Sequence, residues 1–421
     1  MECAKLNSME NKAFSKSTEI GKYFLRTKAF SSFKERKRNF MSIAILGYGV
    51  VGSGAYEILT KAGYKVSRVL DLREYPALGE VLTHDIEDII NDPEITVVAE
   101  AIGGNTFSYD FACRALKAGK HVVSSNKHLI CSYYKELHAL AKENGVTIRF
   151  TASAGGGIPW LYNLKRGLLC DRIYKVMGIM NGTTNYILDA MIRDSREFAD
   201  VLKEAQALGY AEANPSADID GLDVARKTAI SSSIAFDAVV SEDDVLTFSL
   251  RNIRKSDIDY IAAKCARTVR YLGYGMLTAN GVAAFVEPTL LSADALESNV
   301  FTNNNMISLF GDYVGRLSFY GQGAGKYPTG NALGQDIINI LGGDTELTCP
   351  QVDAVMHNEE AERAYFIRTS AALALDFVAS EEKIGDVRYI FTDKISVSAM
   401  HEAAKAILAE DGESFFAGIE E

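Results

Sequence analysis

From residue 42 onward, short apolar runs alternate with stretches of helical period. Ser42-Ile43-Ala44-Ile45-Leu46 is a continuous apolar run of buried-strand length, and a helix-like stretch follows from Ser53 to Ala62. Lys65–Leu70 repeats the strand pattern and ends at Asp71. Ile95–Ala99 is a third strand, Tyr109–Ala118 a helix closed by Gly119, and His121–Ser124 a fourth strand ending at Ser125-Asn126-Lys127. Leu137–Asn144 reads as a helix and Thr147–Phe150 as a strand. Repeated strand–helix units predict a parallel, doubly wound sheet, an α/β class fold. Beyond Gly342-Gly343-Asp344 the pattern changes. Arg363–Thr369 and Val387–Thr392 predict strands, Ser370–Ala379 a short helix, Val397–Ala409 an amphipathic helix, and the acidic end, 410–421, a loose tail.

The first strand runs into Gly47-Tyr48-Gly49-Val50-Val51-Gly52, a Gly-x-Gly-x-x-Gly between strand and helix. Gly47 permits the tight turn, Gly49 lets a pyrophosphate approach the backbone, and Gly52 lets helix and strand pack closely. Val50 and Val51 begin the helix whose N-terminus faces the phosphates. Asp71, 24 residues beyond Gly47, stands where an acid holds a ribose 2′-hydroxyl. These residues predict a Rossmann-type dinucleotide site. Asp71 argues for NAD, whereas Arg73 suits the 2′-phosphate of NADP, and the residues leave both open. Lys127, at the carboxyl end of a parallel strand, is in a functional place.

Composition narrows the classes. The 421 residues are 48% hydrophobic and 24% charged, with 34 Gly and 7 Pro, an ordinary globular balance. No apolar run reaches the roughly 18 residues a membrane span needs. The first forty residues hold ten Lys/Arg and four Asp/Glu, leaving 34 basic and 51 acidic residues in the rest. A body that acidic excludes non-specific nucleic-acid binding. Six widely spaced cysteines form no Cys-x-x-Cys pair, so zinc and a disulfide framework are not indicated and a reducing cytoplasm is the simplest setting. Residues 1–40 read as an extension with little structure of its own: Glu2, Glu10 and Glu19 suit no transit peptide, no secretory apolar core appears, and Met41 reads as the functional start.

Three later segments carry the most specific chemistry. Thr151-Ala152-Ser153-Ala154-Gly155-Gly156-Gly157-Ile158-Pro159 is an open, glycine-rich loop suited to ion or ligand contact, or to a hinge. Asn181-Gly182-Thr183-Thr184 precedes a helix. Glu212, Asp218 and Asp220 then lead into a helix from Gly221 on which Asp223 and Lys227, at i and i+4, share one face. An isolated pair of that kind is usually a solvated bridge of ~0.3–0.5 kcal/mol. One lysine among several carboxylates instead suits a zwitterionic amino-acid substrate. With Gly321-Gln322-Gly323-Ala324-Gly325-Lys326 in the same order downstream of the glycine turn, the stretch from Met41 to Ile340 resembles homoserine dehydrogenase.

That resemblance implies reversible hydride transfer between L-homoserine and L-aspartate 4-semialdehyde with NAD(P), in threonine, methionine and isoleucine biosynthesis. It implies Lys227 as proton donor, Asp223 and Lys127 beside it in catalysis, Glu212, Asp218 and Thr183 at the substrate, and Gly325 closing over the cofactor. It also implies an α+β substrate and dimerisation domain over 152–341, after a nucleotide domain over 41–151, and a homodimer or higher homo-oligomer. Residues 342–421 resemble a shortened amino-acid-sensing unit of βαββαβ type, or serve as a packing appendage. Family members carry Glu where this chain has Thr151, an acid of a monovalent-cation site. Backbone carbonyls of Ala154, Gly156 and Ile158 are the sodium ligands that remain.

Two rivals stand beside this reading. A thioester-forming semialdehyde enzyme would need an activated cysteine, and Cys131 lies near His128. A non-catalytic dinucleotide sensor would leave the carboxylate–lysine cluster without a task.

Overall fold

Ser42–Leu46 (β1) is buried at every position, as a central strand covered on both faces must be. It is part of a computed structural model in which residues 41–345 and 350–420 are described; the reading of residues 1–40 lies outside them. After β1 come α1 (Val50–Lys61), β2 (Val66–Leu70), β3 (Leu82–Thr83), β4 (Ile95–Glu100), α2 (Thr106–Lys117), β5 (His121–Ser124), α3 (Lys127–Glu143) and β6 (Ile148–Arg149). The six strands form one parallel sheet in the order β3-β2-β1-β4-β5-β6. The strand order reverses beside β1, which opens a crevice at its carboxyl end, where the glycine turn lies.

Helix α3 starts ten residues before the predicted Leu137. Asn126 caps it, its side chain accepting the Leu129 N–H at 3.1 Å, so Lys127 sits in the first turn.

The chain then crosses through α4 (Trp160–Gly167) into a second, mixed sheet. Its elements are β7 (Ile173–Ile179), α5 (Gly182–Arg193), α6 (Phe198–Ala207), α7 (Leu222–Phe236), α8 (Lys255–Cys265), β8 (Arg267–Leu277), β9 (Val282–Ser292), β10 (Asn304–Gly311) and β11 (Gly315–Gln322). Helix α7 lies on β8, and the approach is close because Gly273 and Gly275 carry no Cβ. One added there would fall 2.1 Å from the Thr228 hydroxyl or 2.0 Å from that of Ser232. Helix α9 (Lys326–Leu341) returns to the first sheet, where Leu333, Ile337 and Ile340 join Ile43, Ile45, Ala55 and Leu59 in one core.

The last elements are β12 (Tyr365–Thr369), β13 (Val378–Ile384), β14 (Val387–Thr392), α10 (Val397–Glu410) and β15 (Phe415–Ile419). They extend the second sheet, which runs β11-β10-β7-β8-β9-β15-β12-β14-β13. Two expectations are corrected here. The end is not loose: β15 pairs parallel with β9 and antiparallel with β12, with Phe415, Phe416 and Ala417 buried. Five apolar or small residues outweigh the acids that flank them. Nor is Ser370–Ala379 helical. Ala371, Leu373, Leu375 and Phe377 recur at every second residue and pack on the core of this unit. That period of two belongs to extended chain, and it replaces the first helix of a βαββαβ pattern.

Candidate active site

The glycine turn has the shape its residues predict. Gly47 has φ +91°, and a Cβ on Gly52 would fall 1.9 Å from the Gly47 carbonyl oxygen. Nothing lies within 4 Å of the Cβ position of Gly49, so its backbone is open to a ligand. Val50 and Val51 form the first turn of α1, where unpaired N–H groups and the helix dipole favour phosphate. Past the turn, a cleft of about 380 Å³ is lined by Gly47, Gly49, Asp71, Arg73, His84 and Phe107. This is a sufficient cradle for the adenosine end of a dinucleotide.

Asp71 is buried at the end of β2. It accepts the Tyr48 N–H at 2.7 Å and the Arg73 side chain at 3.0 and 3.1 Å. Burial works against its charge, but the Arg73 guanidinium and the two backbone N–H groups prevail and lower its pKa to about 2. Arg73 itself is exposed, lying over the Tyr75 ring at 5.4 Å.

A second cleft, about 720 Å³, begins at Val50 and runs to α7. Lys127, Thr183, Glu212, Asp218, Asp223, Lys227 and Gly325 all line it. Its centre is one carboxylate between two ammonium groups. Asp223 Oδ2 lies 2.8 Å from Lys227 Nζ, and Oδ1 lies 2.8 Å from Lys127 Nζ. Lys227 also donates to the Met180 carbonyl at 2.7 Å. Asp223 and Lys227 are 6% and 7% exposed, so this is not the solvated bridge of an isolated pair. Burial alone would raise the Asp223 carboxyl, yet the two lysines hold it well below the usual range. Asp223 in turn raises Lys127.

Asn181 ties the acids together. Its Nδ2 donates to Asp218 Oδ1 at 2.7 Å and to Asp223 Oδ2 at 2.8 Å, while its Oδ1 caps α5 by accepting the Thr184 N–H. Burial, then the nearby Asp223 charge, raises the Asp218 carboxyl. The double role of Asn181 and the Met180 carbonyl were not legible as site features. Only the family resemblance, which implies that Asn181-Gly182-Thr183-Thr184 shapes the substrate site, pointed there. Thr183 donates to the Tyr210 carbonyl at 2.6 Å, fixing the loop that carries Glu212 to the rim. Asp220, counted with the other acids in the sequence, pairs with Arg251 at 2.6 Å and is no part of the cleft lining.

The glycine loop offers a sodium ion fewer free oxygens than the sequence led one to expect. The Ile158 carbonyl accepts the Trp160 N–H at 2.7 Å, and the Thr151 hydroxyl donates to Asp336 at 2.8 Å. Among the described residues no cluster of three or more His, Cys, Asp or Glu is placed to hold a metal ion. The thioester reading loses its nucleophile as well. Cys131 is half-buried, its thiol donating to the Arg226 carbonyl at 3.4 Å, and desolvation pushes the thiol far above its ordinary value.

Comparison with known proteins agrees with this geometry. Residues 47–151 match the family model for the homoserine dehydrogenase NAD-binding domain, and 159–338 that for homoserine dehydrogenase. A homoserine dehydrogenase of Bacillus subtilis is 40% identical over 314 residues, covering 71% of this chain and 72% of that one. One from Pseudomonas aeruginosa is 36% identical over 79% of this chain and 82% of its own. The crystal structure of a homoserine dehydrogenase from Thiobacillus denitrificans superposes with TM-score 0.81 at 31% identity, covering 90% of this chain and 98% of that one. With the glycine turn, the buried lysine–carboxylate centre and these likenesses together, the chain belongs to the homoserine dehydrogenase family of NAD(P)-dependent oxidoreductases acting on a CH–OH group.

Proposed function

We propose that this chain interconverts L-homoserine and L-aspartate 4-semialdehyde with Lys227 as the proton donor and acceptor at the substrate oxygen. The observation that carries this is the Lys227–Asp223–Lys127 arrangement, buried in the cleft that starts at the N-terminus of the nucleotide-binding helix. The bound cofactor supplies or accepts the hydride. The chain's own residues orient the aldehyde and stabilise the charge that grows on its oxygen. Lys227 and Lys127 offer ammonium groups from two different elements, α7 and α3, so the oxygen is held from two sides. Asp223 aims both lysines, and it takes no proton itself because two cations neutralise it. Glu212 and Asp218 would hold the substrate ammonium, with Thr183 shaping that end of the cleft.

For the cofactor we propose NAD over NADP. Asp71 is ionised, buried and pinned by the Tyr48 N–H, so a dianionic 2′-phosphate would sit against a fixed carboxylate, whereas ribose hydroxyls would donate to it. A homoserine dehydrogenase mutant from a hyperthermophilic archaeon, of the same fold at TM-score 0.60, is known with NADPH. Arg73 is the residue through which this chain would accept that cofactor. A homodimer, or a higher homo-oligomer, is supported by β11, the free edge of the second sheet, which exposes Leu317 and Tyr320 beside Tyr313. The free thiols of Cys113, Cys131, Cys170 and Cys265 suit a reducing cytoplasm, and among the described residues no helix is long and apolar enough to cross a membrane.

The test is Lys227→Ala, assayed by homoserine-dependent reduction of NAD and NADP in parallel. Turnover should fall by about 10²–10⁴ while cofactor affinity stays as in the native chain. Near-native turnover would remove Lys227 from the role.

A further inference from the structure

The loop from Thr151 to Ile158 begins where β6 ends, and a buried ion pair marks the spot. Arg149 is fully buried, its Nε donating to Asp336 Oδ1 at 3.1 Å and its Nη1 to the Asp344 carbonyl at 2.9 Å. The other oxygen of Asp336 accepts two bonds from Thr151, from its N–H and its hydroxyl, both at 2.8 Å. The side chain at position 151 therefore faces a carboxylate that reaches it from helix α9. That carboxylate already has a cation, and a fixed one.

We infer that Arg149 is a built-in counter-cation of the glycine loop, doing here what an exchangeable monovalent cation would do, so that this chain needs no sodium or potassium to hold the loop. Three observations carry it. First, the side chain at position 151 is neutral, and the carboxylate it meets comes from position 336. Second, Arg149 Nη2 is buried without a hydrogen-bond partner, an arrangement that repels a second cation nearby and leaves a donor for a water or carbonyl. Third, the one carboxylate lining the small void beside Thr151 and Ile158, that of Asp336, already accepts from Arg149 and twice from Thr151. The loop matters to the reaction because the Gly157 N–H donates to the Gln322 carbonyl at 3.0 Å, and Gln322 to Gly325 line the active-site cleft. Arg149 is thus a positioning residue, acting through Asp336, Thr151 and the loop.

The experiment compares sodium, potassium and tetramethylammonium chloride at equal ionic strength, on the full chain and on Thr151→Glu. It reads the melting temperature, the ²³Na linewidth and homoserine-dependent cofactor reduction. For the native chain we expect the same melting temperature in all three salts, no protein-dependent sodium broadening, and rates within about two-fold. For Thr151→Glu a carboxylate faces Asp336, and sodium or potassium should raise both melting temperature and rate above the tetramethylammonium values. A native chain that melts lower, or slows by more than about two-fold, in tetramethylammonium overturns the inference. The native comparison decides it even if Thr151→Glu does not fold.

Discussion

Replacing Asp223 by Asn removes one charge from the centre of the cleft while keeping the shape of the side chain. The native carboxylate sits 2.8 Å from each of two lysine nitrogens. With the charges about 3.5 Å apart and an effective dielectric of about 20, each contact is worth roughly 5 kcal/mol of gross attraction. Lys127 is 35% exposed at its side chain, so solvent screening leaves about half of that for it. The variant thus holds two ammonium groups in one buried site with no counter-charge, and an amide N–H pointing at one of them. Losing the carboxylate whose charge raises Lys127 lets one proton leave the site at a lower pH than in the native chain. The two directions of the reaction then respond with opposite sign. Reduction of the semialdehyde needs the protonated lysine, so in Asp223→Asn it should fade at a pH where the native chain is still fully active. Oxidation of homoserine needs the neutral amine, so its rise with pH should begin earlier. Superimposed on both, kcat/KM should drop by about 10²–10³ because neither lysine is aimed any longer. Rates in both directions between pH 5 and 10, with a melting curve to show the fold is kept, would check this. Unshifted pH profiles in both directions would refute the coupling of the two lysines through Asp223.

Three further predictions concern cofactor, packing and acid stability. Asp71→Ser frees Arg73 and removes the carboxylate facing a 2′-phosphate, so the NADP-to-NAD ratio of kcat/KM should rise roughly tenfold or more in parallel assays. Gly418→Ala places a Cβ 2.2 Å from Glu287 Oε1 and 2.6 Å from Arg363 Cζ, both buried under β15. It should cost about 1–3 kcal/mol in a denaturant melt while leaving KM values alone. His401 stacks on Phe248 at 3.8 Å, and burial lowers its pKa to about 4. Between pH 6.5 and 4 the unfolded chain binds more protons than the folded one, so stability should be lost as pH falls through that window. His401→Phe keeps the stack and should flatten that loss, measured as the melting-temperature difference between pH 7 and pH 5.

The local grammar of the chain was enough for the nucleotide half. Continuous apolar strands, a glycine turn at a strand–helix junction and an acid ending the second strand each state a backbone requirement within a few residues. Folding of neighbours does not alter those requirements. The pairing of Asp223 with Lys227 was legible for the same reason, since i and i+4 on a helix are always close. The extended stretch at Ala371–Phe377 was misread as a helix, because alanine and leucine favour helix by propensity while packing of its period-two residues overrides propensity.

What the sequence by itself determined is therefore most elements of the nucleotide half, the dinucleotide turn and the residue types of the site. Tertiary structure decided which of those residues meet. Lys127 joins Asp223 across 96 positions, Asn181 bridges Asp218 and Asp223, Asp336 reaches back to Thr151, and the acidic tail becomes an inner strand of the second sheet. Such contacts depend on how sheets and helices stack over long loops. Whether a charge is solvated or buried beside a partner is fixed only by that stacking, and the chemistry at Lys227 depends on the answer.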